Sequence, residues 1–346
     1  MESKLKYTLV LAGAVAAALM LGGCGHTTPV TSGTATPLPT ITPYVSGEYA
    51  IPTAASKPAG ITTTSTSLYF TEEAANKVAV LTQSATFVEY PLPEAGSEPL
   101  SLVLAQDGEI WLTEFGGDRI AQFNTATGQF TECTLPQEGG KTPTPWGIAA
   151  GGDGNLWVTD PATNGIWQVQ PGCGSFAFFP LATAAADPTS ITVGPDNALW
   201  FVETSANKIG RIPTTAAAGT SPAEYPVTTA NAGLGVIIAG PDNALWYTET
   251  KADKLGRMLT TGQPTPEVAL TGVGSPYGLV AGVDGNFYIG DQTKSTIVQY
   301  NPTTGAIASF ATKTANAGPY WLTLGPDNEV YFTEQTANNI GQFRYF

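Results

Sequence analysis

The chain has 346 residues, of which only 12% are charged, with 14 basic against 28 acidic side chains and a formal net charge of −14. No basic cluster appears anywhere, so nucleic acid and anionic lipid headgroups are excluded as partners on charge. No long segment carries apolar residues at helical spacing, and a helical architecture is excluded with them.

Lys4 and Lys6 precede an apolar run from Tyr7 to Leu21 that ends in Leu21-Gly22-Gly23-Cys24. A short apolar run with a small-residue cleavage site reads as a secretory signal over residues 1–23, not as a spanning helix. Cys24 directly after Leu-Gly-Gly resembles the lipobox of bacterial lipoproteins. That resemblance implies cleavage before Cys24 and a diacylglyceride on its sulfur, with the membrane as a partner. An ordinary signal with an incidental cysteine is the alternative. Gly25 follows, so an Asp retention signal is missing, and in a two-membrane cell the outer membrane is the expected location. Residues 24–44 are rich in Thr, Pro, Ser and Gly and have few large apolar groups, which predicts a spacer.

Residues 45–346 carry seven repeats. Leu68-Tyr-Phe-Thr-Glu72, Ile110-Trp-Leu-Thr-Glu114, Leu156-Trp-Val-Thr-Asp160, Leu199-Trp-Phe-Val-Glu203, Leu245-Trp-Tyr-Thr-Glu249, Phe287-Tyr-Ile-Gly-Asp291 and Val330-Tyr-Phe-Thr-Glu334 recur every 42 to 46 residues. That period, built from short strands, predicts an all-β, seven-bladed β-propeller with four antiparallel strands per blade. The fourth repeat shows the pattern best: strands at Pro188 to Gly194, Ala198 to Glu203, Lys208 to Ile212 and Ala223 to Val227, with a turn at Pro195-Asp196-Asn197. First strands are expected to begin near Pro58, Pro99, Pro145, Pro188, Leu234, Pro276 and Pro319. The first repeat is one residue shorter and turns on Ser65-Thr-Ser67 instead of an Asp turn. The last repeat ends after its third strand, and Gly47-Glu-Tyr-Ala-Ile-Pro52 reads like Val88-Glu-Tyr-Pro-Leu-Pro93. The N-terminal strand is therefore expected to complete the seventh blade and close the ring.

Counting symmetrically about each Asp turn pairs the residue after the opening proline with the acid that ends the second strand, as for Tyr277 and Asp291. On that count the seven acids ring one mouth of the channel. They are then either structural acceptors for the following loop or ligands for Mg²⁺ or another hard cation, with Glu203, Glu249, Asp291 and Glu334 as the metal candidates. Trp146, Tyr277, Tyr320 and Trp321 break the repeat pattern at the same mouth. They are candidate ligand-binding residues for flat or apolar faces, with a channel plug as the alternative. Cys133 and Cys173 fall on neighbouring repeats and form a possible disulfide, two free thiols being the other reading.

The strings P-x-G-I, G-P-D-N-A-L-W-F-x-E and N-K-I-G-R-I, strongest at Pro188 to Ile212 and Gly240 to Arg257, resemble the streptogramin lyase (virginiamycin B lyase) family. The resemblance covers all seven repeats. It implies a seven-bladed propeller and, in the family's enzymes, a Mg²⁺-dependent elimination that opens cyclic depsipeptides at their ester bond, with histidine as base and glutamates at the metal. Here the only histidine is His26, in the spacer beside Cys24. The expectation is a cell-envelope lipoprotein that binds a small molecule, peptide, glycan or envelope protein at the channel mouth and carries no catalytic residue. The alternative is a divergent carbon–oxygen lyase in which a carboxylate or tyrosine replaces the base, acting on cyclic depsipeptides or lactones. A structural lipoprotein of a larger envelope assembly is the third reading.

Overall fold

The computed structural model describes residues 42–346. The expected signal segment, Cys24, His26 and nearly all of the expected spacer lie outside the described residues. Seven four-stranded antiparallel sheets follow one another, six with their strands hydrogen-bonded in sequential order and the last completed by the N-terminal strand. The first strand of every sheet packs against the first strands of both neighbouring sheets, so these seven strands surround the axis and the sheets are the blades of a closed ring. Among the described residues no helix is long and apolar enough to cross a membrane.

The recurring residues hold the blade together. In blade 4 the turn carboxylate of Asp196 accepts from Trp200 Nε1 at 2.9 Å and from Arg211 Nε at 2.8 Å. The Arg211 guanidinium also lies over the Trp200 ring, 5.6 Å from its centroid. Asp242, Trp246 and Arg257 repeat the arrangement in blade 5. In blades 6 and 7 the indole is replaced by a phenol, Tyr288 donating to Asp284 and Tyr331 to Asp327. At the other end of the second strand, Asn207 adopts the left-handed conformation, φ 57°. Its side chain donates to the Thr229 carbonyl and accepts from the Ala232 N–H, both at 2.8 Å, which fixes the connection to blade 5. Asn76, Asn164 and Asn338 do the same for their own connections. A third device spans blades: Thr71, Thr113, Thr159, Thr248 and Thr333 each donate to a carbonyl in or just before the first strand of the next blade, at 2.5–2.9 Å.

The ring closes as the sequence predicts. Tyr44–Ala50 is the outer strand of blade 7 and pairs antiparallel with Asn339–Arg344. Ile51 follows, donating its N–H to the Asn338 carbonyl and packing with Ile61, Phe70, Leu81, Tyr331 and Ile340 from blades 1 and 7. Such mixed clusters of large side chains from adjoining sheets make up the core, as where Trp200 and Val202 of blade 4 meet Leu245 and Tyr247 of blade 5. Cys133, on the outer strand of blade 2, is disulfide-bonded to Cys173, in the short 3-10 turn Pro171–Cys173 of blade 3, with 5.4 Å between their Cα atoms. Blade 3 departs from expectation: its first strand is only Ile148–Ala150, so Pro145 and Trp146 precede it. Trp146 is still anchored, its N–H donating to the Thr159 carbonyl at 2.9 Å.

Candidate functional site

The end of the ring that carries the first-strand starts and the loops between second and third strands holds the aromatic residues singled out by the sequence. Trp146 of blade 3 meets Trp321 of blade 7, with ring centroids 5.4 Å apart. These blades are not neighbours, so the two indoles meet across the axis. Tyr277 of blade 6 stacks on Tyr320 of blade 7 at 4.5 Å and an interplanar angle of 10°, and their hydroxyls lie 3.2 Å apart. Trp321 stands edge-on to both tyrosines. Gly235 of blade 5 lies beside the Tyr277 ring, and a Cβ there would fall 2.6 Å from Thr248 Oγ1. All four aromatics are half-buried. They form one cluster across the channel with a face open to solvent.

The acids end the second strands at this same end of the ring, but the symmetric count of their partners is corrected. All of the acids except Asp160 pair with the opening residue itself, as Glu203 does with Pro188, Glu249 with Leu234, Asp291 with Pro276 and Glu334 with Pro319. The register shifts immediately after that residue, where a bulge sets two first-strand residues against one on the second strand. All seven acids, Glu72, Glu114, Asp160, Glu203, Glu249, Asp291 and Glu334, are fully buried. Glu72, Glu203 and Glu249 sit beside charged residues of the third and fourth strands of their own blades. Asp160 accepts from the backbone N–H groups of Thr144, Ala162 and Thr163, from Thr163 Oγ1 at 2.6 Å and from Trp167 Nε1 at 3.0 Å. Asp291 accepts from four backbone N–H groups, of Gly274, Ser275, Thr293 and Lys294.

Glu203 and Glu249 have no hydrogen-bond partner and lie next to an ion pair. Beside Glu203, Lys208 Nζ donates to Glu224 at 2.8 Å and to Thr183 Oγ1 at 2.6 Å. Lys254, Glu267 and Thr229 repeat this beside Glu249. Burial, and then the Glu224 charge, push the Glu203 carboxyl up to about 8. Glu249 is raised for the same reasons, by burial and by Glu267. Burial and Glu89 raise Glu72 to about 7, and burial is the chief cause of the rise to about 8 at Glu334, which accepts from Asn339 Nδ2 at 2.9 Å. The outer-strand partner Glu224 is held below the usual carboxylate range against the effect of its own burial, because Lys208 and Thr183 hydrogen-bond it.

This arrangement does not suit Mg²⁺, which takes six oxygens in a near-octahedral shell. Among the described residues no three His, Cys, Asp or Glu side chains are grouped as such a site needs. Glu203, Glu249, Asp291 and Glu334 are enclosed in four separate blades, and in two of these a lysine ammonium supplies the local cation.

Sequence reading did not pick out Glu73 and Lys57. They form an ion pair at 2.5 Å on the mouth side of blade 1, and the Glu73 charge raises Tyr320, after burial as the main cause. Burial and Tyr320 hold the Tyr277 phenol well above its ordinary value. Both phenols therefore keep their protons near neutral pH. The mouth offers flat rings and two protonated hydroxyls, with the Glu73 carboxylate beside them tied to Lys57.

Seven blades closed by an N-terminal strand, with aromatics meeting across the axis at one end, define a β-propeller. The chain belongs to the virginiamycin B lyase family, whose model matches residues 40–219 and 214–345. Among solved structures it is similar to a streptogramin B lyase at 31% identity, covering 87% of this chain and 97% of that one, with a TM-score of 0.80. It is also similar to selenomethionine-substituted virginiamycin B lyase from Staphylococcus aureus at 26% identity, covering 87% of this chain and 99% of that one, TM-score 0.80. A catalytically inactive histidine-to-alanine variant of the Staphylococcus aureus enzyme, with quinupristin, matches with the same identity, coverage and score. Among curated protein sequences none matches.

Proposed function

We propose that this propeller binds a ligand at the aromatic mouth and does not carry out the lyase reaction of its family. The observation that carries the reading is the absence of histidine from residues 42–346, the only one being His26. A relative is catalytically inactive once a histidine is changed to alanine. An α-proton must go to a base whose affinity for protons is matched to the working pH. The phenols of Tyr277 and Tyr320 stay protonated, and the glutamates of raised proton affinity are buried inside blades, out of reach of a substrate at the mouth. Those facts weigh against the divergent-lyase reading, and Mg²⁺ has no part in the proposal.

What the mouth offers is a cross-axis aromatic surface. Trp146 and Trp321 present indole area, Tyr277 and Tyr320 a stacked pair with hydroxyls at the edge. Such surfaces take flat or apolar ligand faces, of a small molecule, a cyclic peptide, a glycan or a segment of an envelope protein. Quinupristin is a suitable probe. A saturable change in intrinsic fluorescence on titrating it into the full chain, abolished in Trp146→Ala and Trp321→Ala, supports the site. A saturable change that both variants retain refutes it.

From sequence alone we further propose that the protein is exported and held in the cell envelope through a lipid on Cys24. Cys24→Ala would then move the protein from the membrane fraction to the soluble one, and an unchanged distribution would rule the anchor out.

A further inference from the structure

At the end of the ring opposite the aromatics, the sevenfold pattern fails at one blade. Six blades turn between first and second strands on Asp107, Asp153, Asp196, Asp242, Asp284 or Asp327, each accepting from the second-strand aromatic. Blade 1 turns on Thr64–Ser67, bonded only within itself. Its outer hairpin is short as well, the third strand ending at Thr82 and the fourth beginning at Phe87. The corresponding bounds are Phe123 and Phe130 in blade 2, and Leu259 and Val268 in blade 5.

Those longer hairpins fill space beside the preceding blade. Gly128 and Gly262 take the left-handed conformation there, at φ 71° and 80°. A Cβ would fall 2.4 Å from the Tyr90 ring at Gly128 and 2.1 Å from the Tyr225 ring at Gly262. Tyr49 holds the same register in blade 7, opposite Ile340 as Tyr90 is opposite Val78 and Tyr225 opposite Ile209. The short blade 1 hairpin has no glycine to cover it. The space left is a cleft of about 240 Å³ between blades 7 and 1, lined among others by Tyr49, Thr66, Thr82, Gln83, Tyr331 and Gln342.

The wall of this cleft is pre-set. Gln342, only 8% exposed, accepts from the Tyr49 hydroxyl at 2.7 Å and donates at 2.7 Å to both Tyr331 Oη and Glu329. The lining holds no lysine or arginine, and its one carboxylate, Asp327, already accepts from Tyr331 at 3.0 Å. With a net charge of −14 on the chain, an anion has nothing to bind. What remains is a tyrosine beside hydroxyls and an amide, which suits a neutral ligand with many hydroxyls. The volume is below the roughly 300–1,000 Å³ of drug-sized sites, so it suits one ring.

We propose that the cleft between blades 7 and 1 binds a single ring of a neutral carbohydrate, seated against Tyr49, at a site separate from the aromatic mouth. The test is saturation-transfer NMR on the full chain with maltotriose, cellotriose and triacetylchitotriose at millimolar concentration. At least one should bind. Thr66→Trp, which fills the cleft from an exposed turn position, should weaken that binding by about tenfold or more with an unchanged melting temperature. Tyr49→Phe, which keeps the ring, should bind within about threefold of the unmodified protein, and Trp146→Ala should bind equally well. Failure of all three saccharides to bind overturns the proposal, as does binding that survives Thr66→Trp.

Discussion

The closure of the ring can be tested with two matched substitutions. Ile51 and Leu92 hold corresponding positions, each following the outer strand of its blade and each donating its N–H to the carbonyl of a left-handed asparagine, Asn338 or Asn76. Both are 5% exposed and pack in clusters shared with the next blade. Ile51, however, reaches its place only because the N-terminal strand docks on the C-terminal one. Truncating a buried Ile or Leu to Ala costs about 2–5 kcal/mol, from lost transfer free energy plus the cavity left behind. Ile51→Ala and Leu92→Ala should each lose that amount, agreeing within about 1.5 kcal/mol, the spread expected from unequal relaxation. Urea unfolding followed by tryptophan fluorescence and circular dichroism gives both values, with slopes unchanged from the unmodified protein. At about 2–4 °C per kcal/mol, thermal midpoints should fall by roughly 4–20 °C. A loss at Leu92 with Ile51→Ala inside about 0.5 kcal/mol of the unmodified protein, the range of ordinary surface changes, would show that the seam is not made by this strand.

Two further outcomes follow from the same structure. Glu72, Glu203 and Glu334 keep their protons up to about 7, 8 and 8, whereas glutamate in the unfolded chain releases its proton near about 4.3. Between those values the folded ring binds more protons than the unfolded chain, so stability is fully present below the unfolded value and is lost as pH rises through the folded ones. The urea midpoint should fall between about pH 5.5 and about pH 8.5, and Glu203→Gln should flatten the fall; a midpoint that rises with pH contradicts the buried, uncompensated carboxyls. Reducing the Cys133–Cys173 bond, which ties blade 2 to blade 3, should lower stability by about 2–4 kcal/mol, read as the change in urea midpoint with and without dithiothreitol, and an unchanged midpoint would contradict a stabilising bridge.

Most of the frame could be read from the sequence, because each blade repeats the same solution. Asp196, Trp200 and Arg211 are spaced so that a turn carboxylate meets the second and third strands, and the spacing alone revealed both turn and strands. The likeness of Glu48-Tyr49 to Glu89-Tyr90 was enough to place the closing strand. The four aromatics were found because they break the repeat, and they do meet. The cross-strand partners of the acids were miscounted because of one bulge: a regular hairpin puts Tyr277 opposite Asp291, but the register slips between Pro276 and Leu279. A one-residue slip turns a side chain to the other face of a strand, and pattern counting cannot detect it. The first strand of blade 3 was drawn too long because Pro145 resembles the other opening prolines, though the regular ladder there begins only at Ile148. The cleft beside Tyr49 escaped notice because it arises from what blade 1 lacks.

The measurement that bears most directly on function is mass spectrometry of quinupristin after incubation with the purified full chain and Mg²⁺. A propeller with no imidazole should return the cyclic compound at its original mass, as a buffer control does. Accumulation of the linear product, lost in Glu249→Gln or Asp291→Asn, would show that a carboxylate buried in the blades takes the proton after all.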